Sequence, residues 1–367
     1  MHMKRAVLCV TNPQDYIDQL DGYSLMIINP AATDARKQYL LDQADWSLKI
    51  TEKDHEVRSG GDYGNERLFW YTSGTTGDSK FCSFTQAQLD LQAQTICKAY
   101  DISANDRYVS IMPLWHAHGQ GFYWATRRAQ CEQHFVTVRN LRDMTQYSPT
   151  FVTAVPDILK VIGHLDLGHL RFIRGASSAM PDQLYQDLST RYGVPVIEAF
   201  GMTEALSHCF TNPLHGEQRM GTVGLPDGIE ADIQDGQLWI KGATVFQDGW
   251  FNTGDLAEQD SAGYYRILGR LKDRINIRGY KFDPASLERQ LLAVVPGLSE
   301  VAVFGDRSVN CVYVGDCTDQ AIQQALIQLH ADCRPRYLKK VATIPVGPSG
   351  KISRSWLVQQ FNPQPAD

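Results

Sequence analysis

This 367-residue chain has no apolar run long enough to span a bilayer. Stretches such as Leu25–Ile28 and Leu291–Val295 stop after a few residues, where about 20 are needed. No charged n-region with an apolar h-region opens the sequence, so no secretory signal is expected. The eight cysteines form no CxxC pair or metal-finger spacing, and the ten histidines form no HExxH. These absences set aside disulfide scaffolds, zinc fingers and zincin proteases. Excess positive charge is missing too: a formal net charge of −6 argues against a protein built around nucleic acid. The expectation is a soluble, cytosolic protein with idle thiols, without nucleic acid or membrane among its partners.

What is there is an ordinary globular composition, 43% hydrophobic and 21% charged, with length for about two domains. Charge is unevenly spread. From Asp273 onward there are 11 basic and 9 acidic residues, against 24 and 32 before it. Arg266, Arg270, Lys272, Arg274, Arg278 and Lys281 cluster around Asp273 alone; a solvated strand face explains this as well as a phosphate site does. Residues 1–66 carry little signal. Arg67–Tyr71 reads as a buried strand, running into a Gly/Ser/Thr-rich turn. Beyond it Thr85 and Gln88 form a capping-box pattern, and Leu89, Ala93, Ile96, Cys97 and Tyr100 make one helical stripe. Phe151–Val155 reads as a strand before a helix over Pro156–Ile162. Gly221–Thr253 suggests a β subdomain, and Arg274–Arg278 alternates like a half-exposed strand. Asp283-Pro284 caps a helix with Leu287, Leu291, Val294 and Val295 on one face. Strands at Glu300–Phe304 and Cys311–Val314 and a helix over Gln320–His330 follow. His116 and His118 alternate in a way that could bring both to one face of a strand, a weak metal site by itself.

The strongest local signal is Tyr71-Thr72-Ser73-Gly74-Thr75-Thr76-Gly77-Asp78-Ser79-Lys80. Glycines let a backbone fold around phosphates, hydroxyls and N–H groups solvate the oxygens, and the lysine adds positive charge. The spacing is not that of a Walker A loop. Four further stretches follow in order: Glu198-Ala199-Phe200-Gly201-Met202-Thr203-Glu204, Trp250-Phe251-Asn252-Thr253-Gly254-Asp255, Gly269-Arg270-Leu271-Lys272-Asp273 with Gly279 beyond, and Gly347-Pro348-Ser349-Gly350-Lys351-Ile352-Ser353-Arg354.

Together, over about residues 67–356, these five stretches resemble the core motifs of the adenylate-forming superfamily. Its members are acyl- and aryl-CoA synthetases, peptide-synthetase adenylation domains and luciferases. The resemblance implies an α/β fold: a large N-terminal adenylation domain of mixed sheets and helices with a β subdomain (1–271), a hinge at Lys272, and a small mobile α+β lid domain (273–367). It implies ATP-dependent activation of an aryl or acyl carboxylic acid to an acyl-adenylate, with pyrophosphate release. The acyl group then passes to the thiol of CoA or of a carrier-protein phosphopantetheine. In its site Thr72, Ser73, Gly74, Thr75, Thr76, Gly77 and Lys80 embrace the β- and γ-phosphates. Thr203 holds the α-phosphate and Glu204 binds Mg²⁺. Phe200, with Gly201, stacks on adenine, and Asp255 accepts from the ribose hydroxyls with Arg270 beside it. Lys351 bridges carboxylate and phosphate during adenylation, and Gly279 meets the pantetheine arm after the lid swings.

The acid pocket is implied at Met112–Gly119, through His116 and Gly119, and at Gly175, Ala176 and Ser177, with His116 also among the catalytic residues. Amino-acid-activating relatives carry an aspartate in that first segment; none is present here, so an α-amino acid is not expected. Trp115, Phe122, Tyr123 and Trp124 suit either a flat aromatic acid or plain core. Arg274, Arg278 and Lys281 suit CoA phosphates, the acidic helix of an acyl carrier protein, or solvent. Two departures stand out. Ser79 and Phe81 replace the usual proline and glycine of the phosphate loop. Relatives also carry a far longer stretch ahead of Thr72, so an N-terminal subdomain is expected to be cut down. Retention of Lys80, Thr203, Glu204, Asp255, Arg270 and Lys351 points to an active enzyme rather than a nucleotide-binding scaffold; an adenylating enzyme without CoA ligase activity is the alternative within enzymes.

Overall fold

The computed structural model describes residues 3–59, 61–72, 80–277, 280–330, 333–345 and 354–361. The chain forms two compact units: residues 1–232 with 240–251 and 259–265, and residues 233–239 with 252–258 and 266–367.

The first unit opens on strands β1 (Lys4–Cys9), β2 (Tyr23–Ile27), β3 (Leu48–Thr51), β4 (His55–Val57), β5 (Glu66–Thr72) and β6 (Lys80–Thr85), in spatial order β4-β3-β1-β2-β5-β6. β1, β2, β3 and β5 are mutually parallel, and β5 pairs antiparallel with β6 from Glu66↔Thr85 to Thr72↔Lys80. The N-terminal stretch that carried little signal is thus most of a sheet. Its central strand is an apolar run, Ala6-Val7-Leu8, buried on both faces as a parallel strand must be. Beneath it Arg5 is bound by both carboxylate oxygens of Glu66, at 2.9 and 3.1 Å.

The second sheet holds β7 (Arg107–Ser110), β8 (Glu132–Phe135), β9 (Phe151–Ala154), β10 (Phe172–Gly175), β11 (Val196–Phe200), β12 (Phe210–Thr211) and β13 (Leu225–Pro226), ordered β13-β12-β11-β10-β9-β7-β8. Helices Gln86–Tyr100 and Ala117–Arg128 pack on each other and bury Ala93, Ile96, Tyr100 and Phe122 with Tyr108, Phe151 and Phe172 of this sheet. The capping box is formed: Gln88 N–H donates to Thr85 Oγ1 at 3.2 Å, and Thr85 N–H to Gln88 Oε1 at 3.0 Å. His116 and His118 are not on a strand. His116 is the extended residue before the helix Ala117–Arg128 and His118 lies in its first turn. Gly119 continues that turn, and a two-residue offset does not separate a strand from a helix start.

Strands β14 (Glu230–Gln234), β15 (Gln237–Lys241), β16 (Phe251–Gln259) and β17 (Tyr265–Arg270) form a four-stranded sheet in that order, and the division into units runs through them. The second unit continues with the hairpin β18 (Ile275–Ile277) and β19 (Tyr280–Phe282), then β20 (Leu298–Phe304), β21 (Asn310–Gly315) and β22 (Tyr337–Lys340). Asp283 caps the helix Pro284–Val294 by accepting from Ser286 N–H. Leu287, Leu291 and Val295 are buried with Val301, Val303, Ile322 and Leu326. Val294, expected on that apolar face, is 55% exposed instead, because the helix ends there and the chain turns into β20. Among the described residues no helix is long and apolar enough to cross a membrane.

Candidate active site

In the first unit, β5 and β6 carry the edges of the proposed phosphate loop. Lys80 is exposed at the start of β6, its Nζ 5.1 Å from the centroid of the Phe251 ring, a cation–π distance. Ser73, Gly74, Thr75, Thr76 and Gly77 lie outside the described residues.

β11 ends at Phe200 and the chain then closes sharply. Ser207 N–H donates to Met202 O at 2.9 Å and Cys209 N–H to Phe200 O at 3.0 Å. Leu206 and Ser207 both take left-handed φ, 49° and 78°, an expense rarely borne by two non-glycine residues in succession. The turn is so tight that a Cβ on Gly201 would lie 1.6 Å from Ser207 O; only glycine fits. Thr203 and Glu204 ride on this turn, half-buried in the short 3₁₀ segment Thr203–Ala205. Glu204 O accepts from Phe246 N–H at 2.9 Å. Phe200 is half-buried, edge-on to Phe210 with centroids 5.9 Å apart.

The helix Ala117–Arg128, which carries Gly119 of the proposed acid pocket, lies against the same turn. A Cβ on Gly121 would sit 2.2 Å from Ser207 Oγ, so the Ser207 side chain packs directly on the backbone of the helix Ala117–Arg128 at this glycine. Gln92 Nε2 reinforces the junction by donating to Leu206 O and His208 O at 3.1 and 2.9 Å. Gly175 and Ala176 are buried at the end of β10, and Ser177 follows with φ of 75°. Of the aromatic residues, Phe122 and Tyr123 are core.

A buried polar cluster that the sequence did not reveal adjoins these residues. Arg174 Nε donates to Tyr100 OH at 2.7 Å, and Nη1 to Thr153 Oγ1 at 3.2 Å and His118 Nε2 at 3.1 Å. Thr153 Oγ1 also lies 2.7 Å from His118 Nε2, and His118 Nδ1 lies 3.2 Å from Ser177 Oγ. Tyr100 OH meets Thr211 Oγ1 at 2.8 Å. Nearby His208 is fully buried, with Nε2 2.7 Å from Asp227 Oδ2. Burial pushes its pKa down; the Asp227 hydrogen bond opposes the shift without reversing it. The one signal in the sequence was a lone arginine inside the apolar strand Phe172-Ile173-Arg174-Gly175.

In the second unit, β16 and β17 bring Asp255 and Arg270 together. Arg270 Nε is 2.7 Å from Asp255 Oδ1, and its Nη1 donates to Thr253 O at 2.9 Å. Asp255 is buried, and its N–H donates to Thr253 Oγ1 at 3.0 Å. Lys272 is exposed in the 3₁₀ turn Leu271–Asp273. Lys351 and Gly279 lie outside the described residues, but the chain just after Lys351 is anchored. Arg354 Nη2 binds both oxygens of Glu288 at 2.7 Å, Nε donates to Val303 O at 3.0 Å, and Nη1 lies 3.6 Å from Asp273. Of the basic cluster, Arg266 pairs with Glu258 at 3.6 Å and Arg270 with Asp255, so these two are not free for an incoming phosphate.

No group of three His, Cys, Asp or Glu side chains suited to a metal ion occurs among the described residues. Glu204 stands as a single half-buried carboxylate. This suits Mg²⁺, which keeps water and substrate phosphates as ligands and asks only one or two carboxylates of a protein.

Residues 29–248 match the family described as AMP-binding enzyme. The chain belongs to the AMP-binding enzyme family. An oxalate–CoA ligase of Arabidopsis thaliana is 30% identical over 89% of this chain and 74% of that protein. A sulfoacetate–CoA ligase of Cupriavidus necator is 30% identical over 78% of this chain and 65% of its own length. ATP-bound MatB from Rhodopseudomonas palustris shares the fold, with a TM-score of 0.85 and 22% identity over 98% of this chain and 89% of that one. As an AMP-binding enzyme the chain is an ATP-dependent acid–thiol ligase of mixed α/β architecture.

Proposed function

We propose that this AMP-binding enzyme condenses a small carboxylic acid with ATP to an acyl-adenylate, releasing pyrophosphate, and then passes the acyl group to CoA. The observation that carries the reading is the close approach of the Ser207 side chain, in the turn that follows Thr203 and Glu204, to Gly121 of the helix proposed to border the acid pocket. It supports a site in which the residues proposed for the α-phosphate and those proposed for the acid are neighbours. Attack of a carboxylate on a phosphate brings two anions together, so the site must supply donors and positive charge where charge develops. Thr203 supplies a hydroxyl, Lys80 a cation beside the loop, and Lys351 the mobile cation bridging carboxylate and phosphate. When bound, Mg²⁺ at Glu204 would neutralise phosphate charge. Asp255, steadied by Arg270, offers carboxylate oxygens to two vicinal hydroxyls. Lys272 is the proposed hinge between a domain of residues 1–271 and a lid of residues 273–367; its swing would exchange Lys351 for the loop at Gly279.

CoA is preferred over a carrier protein because both relatives named above are CoA ligases. A cytoplasmic setting fits thiols such as Cys82 and Cys311, buried and outside any disulfide. Incubation with ATP, Mg²⁺, CoA and a panel of acids, followed by mass spectrometry, tests the reading. Formation of an acyl-CoA with stoichiometric AMP is expected; thioester formed only on a phosphopantetheinylated carrier protein would replace CoA as the acceptor.

A further inference from the structure

We propose that Phe251 is a positioning residue of the site: its ring face holds the Lys80 ammonium ready for the ATP phosphates and leaves the charge free for them. The inference rests on the ligase reading above, in which Lys80 serves the β- and γ-phosphates.

Lys80 opens β6, and Cys82 and Phe84 follow it on the same face of the strand at two-residue spacing. Cys82 and Phe84 are fully buried, whereas Lys80 is exposed. The inward row of this strand therefore ends in a cation, with the Phe251 ring centroid 5.1 Å from its Nζ. Phe81 lies on the opposite face, where the resemblance has glycine. It packs on its cross-strand partner Tyr71 with ring centroids 5.2 Å apart, and its own centroid is 4.8 Å from Arg5 Cζ. Neighbouring side chains of a strand point to opposite faces, so pinning Phe81 on one face keeps Lys80 on the other.

The ring is itself fixed. Phe251 is buried and meets Phe246 edge-on, with centroids 5.3 Å apart and planes at 86°. Phe246 N–H donates to Glu204 O at 2.9 Å, and Gln88, in the helix that follows β6, donates from Nε2 to Ala243 O at 2.9 Å. The stretch from Ala243 to Phe251 is thereby tied to the turn that carries Glu204 and to the helix that continues from β6. Cys82 senses both charges. Burial pushes its thiol up to about 12; the Glu204 carboxylate adds to the rise and the Lys80 ammonium opposes it.

A lysine stem gives up much rotamer freedom when it is fixed, so an exposed lysine is held in one place only if a partner holds it. Among the described residues no carboxylate pairs with Lys80. A carboxylate would hold the ammonium but compete with phosphate for it. An aromatic face attracts the cation through its quadrupole, carries no formal charge and leaves N–H donors for phosphate oxygens.

Replacing Phe251 in the full chain by mono-, di- and trifluorinated phenylalanine drains the ring face while nearly keeping its shape, and so separates attraction from packing. In acid-dependent exchange of pyrophosphate into ATP, the KM for ATP should rise with each fluorine, to about fivefold in the trifluoro protein, with the KM for the acid unchanged. Phe251→Leu should lose at least as much and Phe251→Tyr should stay near the wild type, with melting temperatures checking that each variant folds. In Lys80→Met the fluorine series should leave kcat/KM for ATP flat. A flat series in the wild-type background overturns the proposal, and so does a slope that survives Lys80→Met, because the ring would then serve another group. If no acid supports exchange, the ligase reading falls, and the series is read by calorimetric titration with ATP and Mg²⁺. Affinity that drops with each fluorine upholds Phe251 as the holder of Lys80; unchanged affinity, or no binding, overturns it.

Discussion

Gly201 and His208 show how single residues hold the site in shape. Gly201→Ala places a methyl group inside the Ser207 carbonyl, so the turn carrying Thr203 and Glu204 must open. We expect a loss of roughly 1–3 kcal/mol in urea denaturation, together with adenylation reduced far more than that loss explains. His208 gives a pH signature. Its folded pKa is lowered by burial from an ordinary value of 6.5, so the unfolded chain binds the proton more readily. Its contribution to stability is complete above about pH 6.5 and falls as the pH drops through the lowered value, with a slope of up to about 1.4 kcal/mol per pH unit. Denaturation midpoints of the wild type and His208→Gln should converge as the pH falls from 7 to 5; a constant gap would contradict the assignment. At this scale the sequence revealed residues whose role is local. The Thr85–Gln88 capping box depends on four consecutive residues and could be read directly. Arg174 could not, because its partners Tyr100, His118 and Thr153 come from three other elements and only the packed sheet unites them.

Among elements, the helix Arg354–Phe361 after Lys351 is held by Arg354 on Glu288 and Val303 and by Leu357, buried against Ala302 and Phe304. Burial pushes the Glu288 carboxyl up, and Arg354 opposes this. Arg354→Met leaves that carboxylate buried without its cation. We expect a loss of about 3 kcal/mol and weakened adenylation, and Glu288→Gln combined with Arg354→Met should recover part of the stability in the same denaturation assay. Elements with strong local patterns were legible: the helix Gln86–Tyr100 from its apolar stripe, the helix Pro284–Val294 from Asp283-Pro284. Strands β1–β4 of the first sheet were not, whereas β5 was read at Arg67–Tyr71. Buried parallel strands are continuous apolar runs without alternation, and in short pieces such as Ala6-Val7-Leu8 they cannot be told from buried helix. A similar ambiguity let His116 and His118 read as able to share a strand face, where they stand at the start of a helix; Val294 was expected on the apolar face of a helix that ends at that residue.

At the scale of the whole molecule, the proposal is one site running two reactions. Motif order in the sequence was enough to suggest the chemistry, because phosphate loops, tight turns and charge pairs are built from neighbouring residues. Which acid is used was hidden, because the proposed pocket draws its residues from β10, the helix Ala117–Arg128 and the segment before it, which are far apart in sequence. If Lys272 is the hinge, Lys272→Pro should leave pyrophosphate exchange nearly intact and slow thioester formation roughly tenfold or more; equal losses in both would remove the hinge from that position. The central claim is that the protein adenylates an acid through Lys351. Acid-dependent exchange of labelled pyrophosphate into ATP tests it most directly. The account predicts exchange with at least one short carboxylic acid and its collapse in Lys351→Ala; no exchange with any acid, or exchange undiminished in that variant, would contradict it.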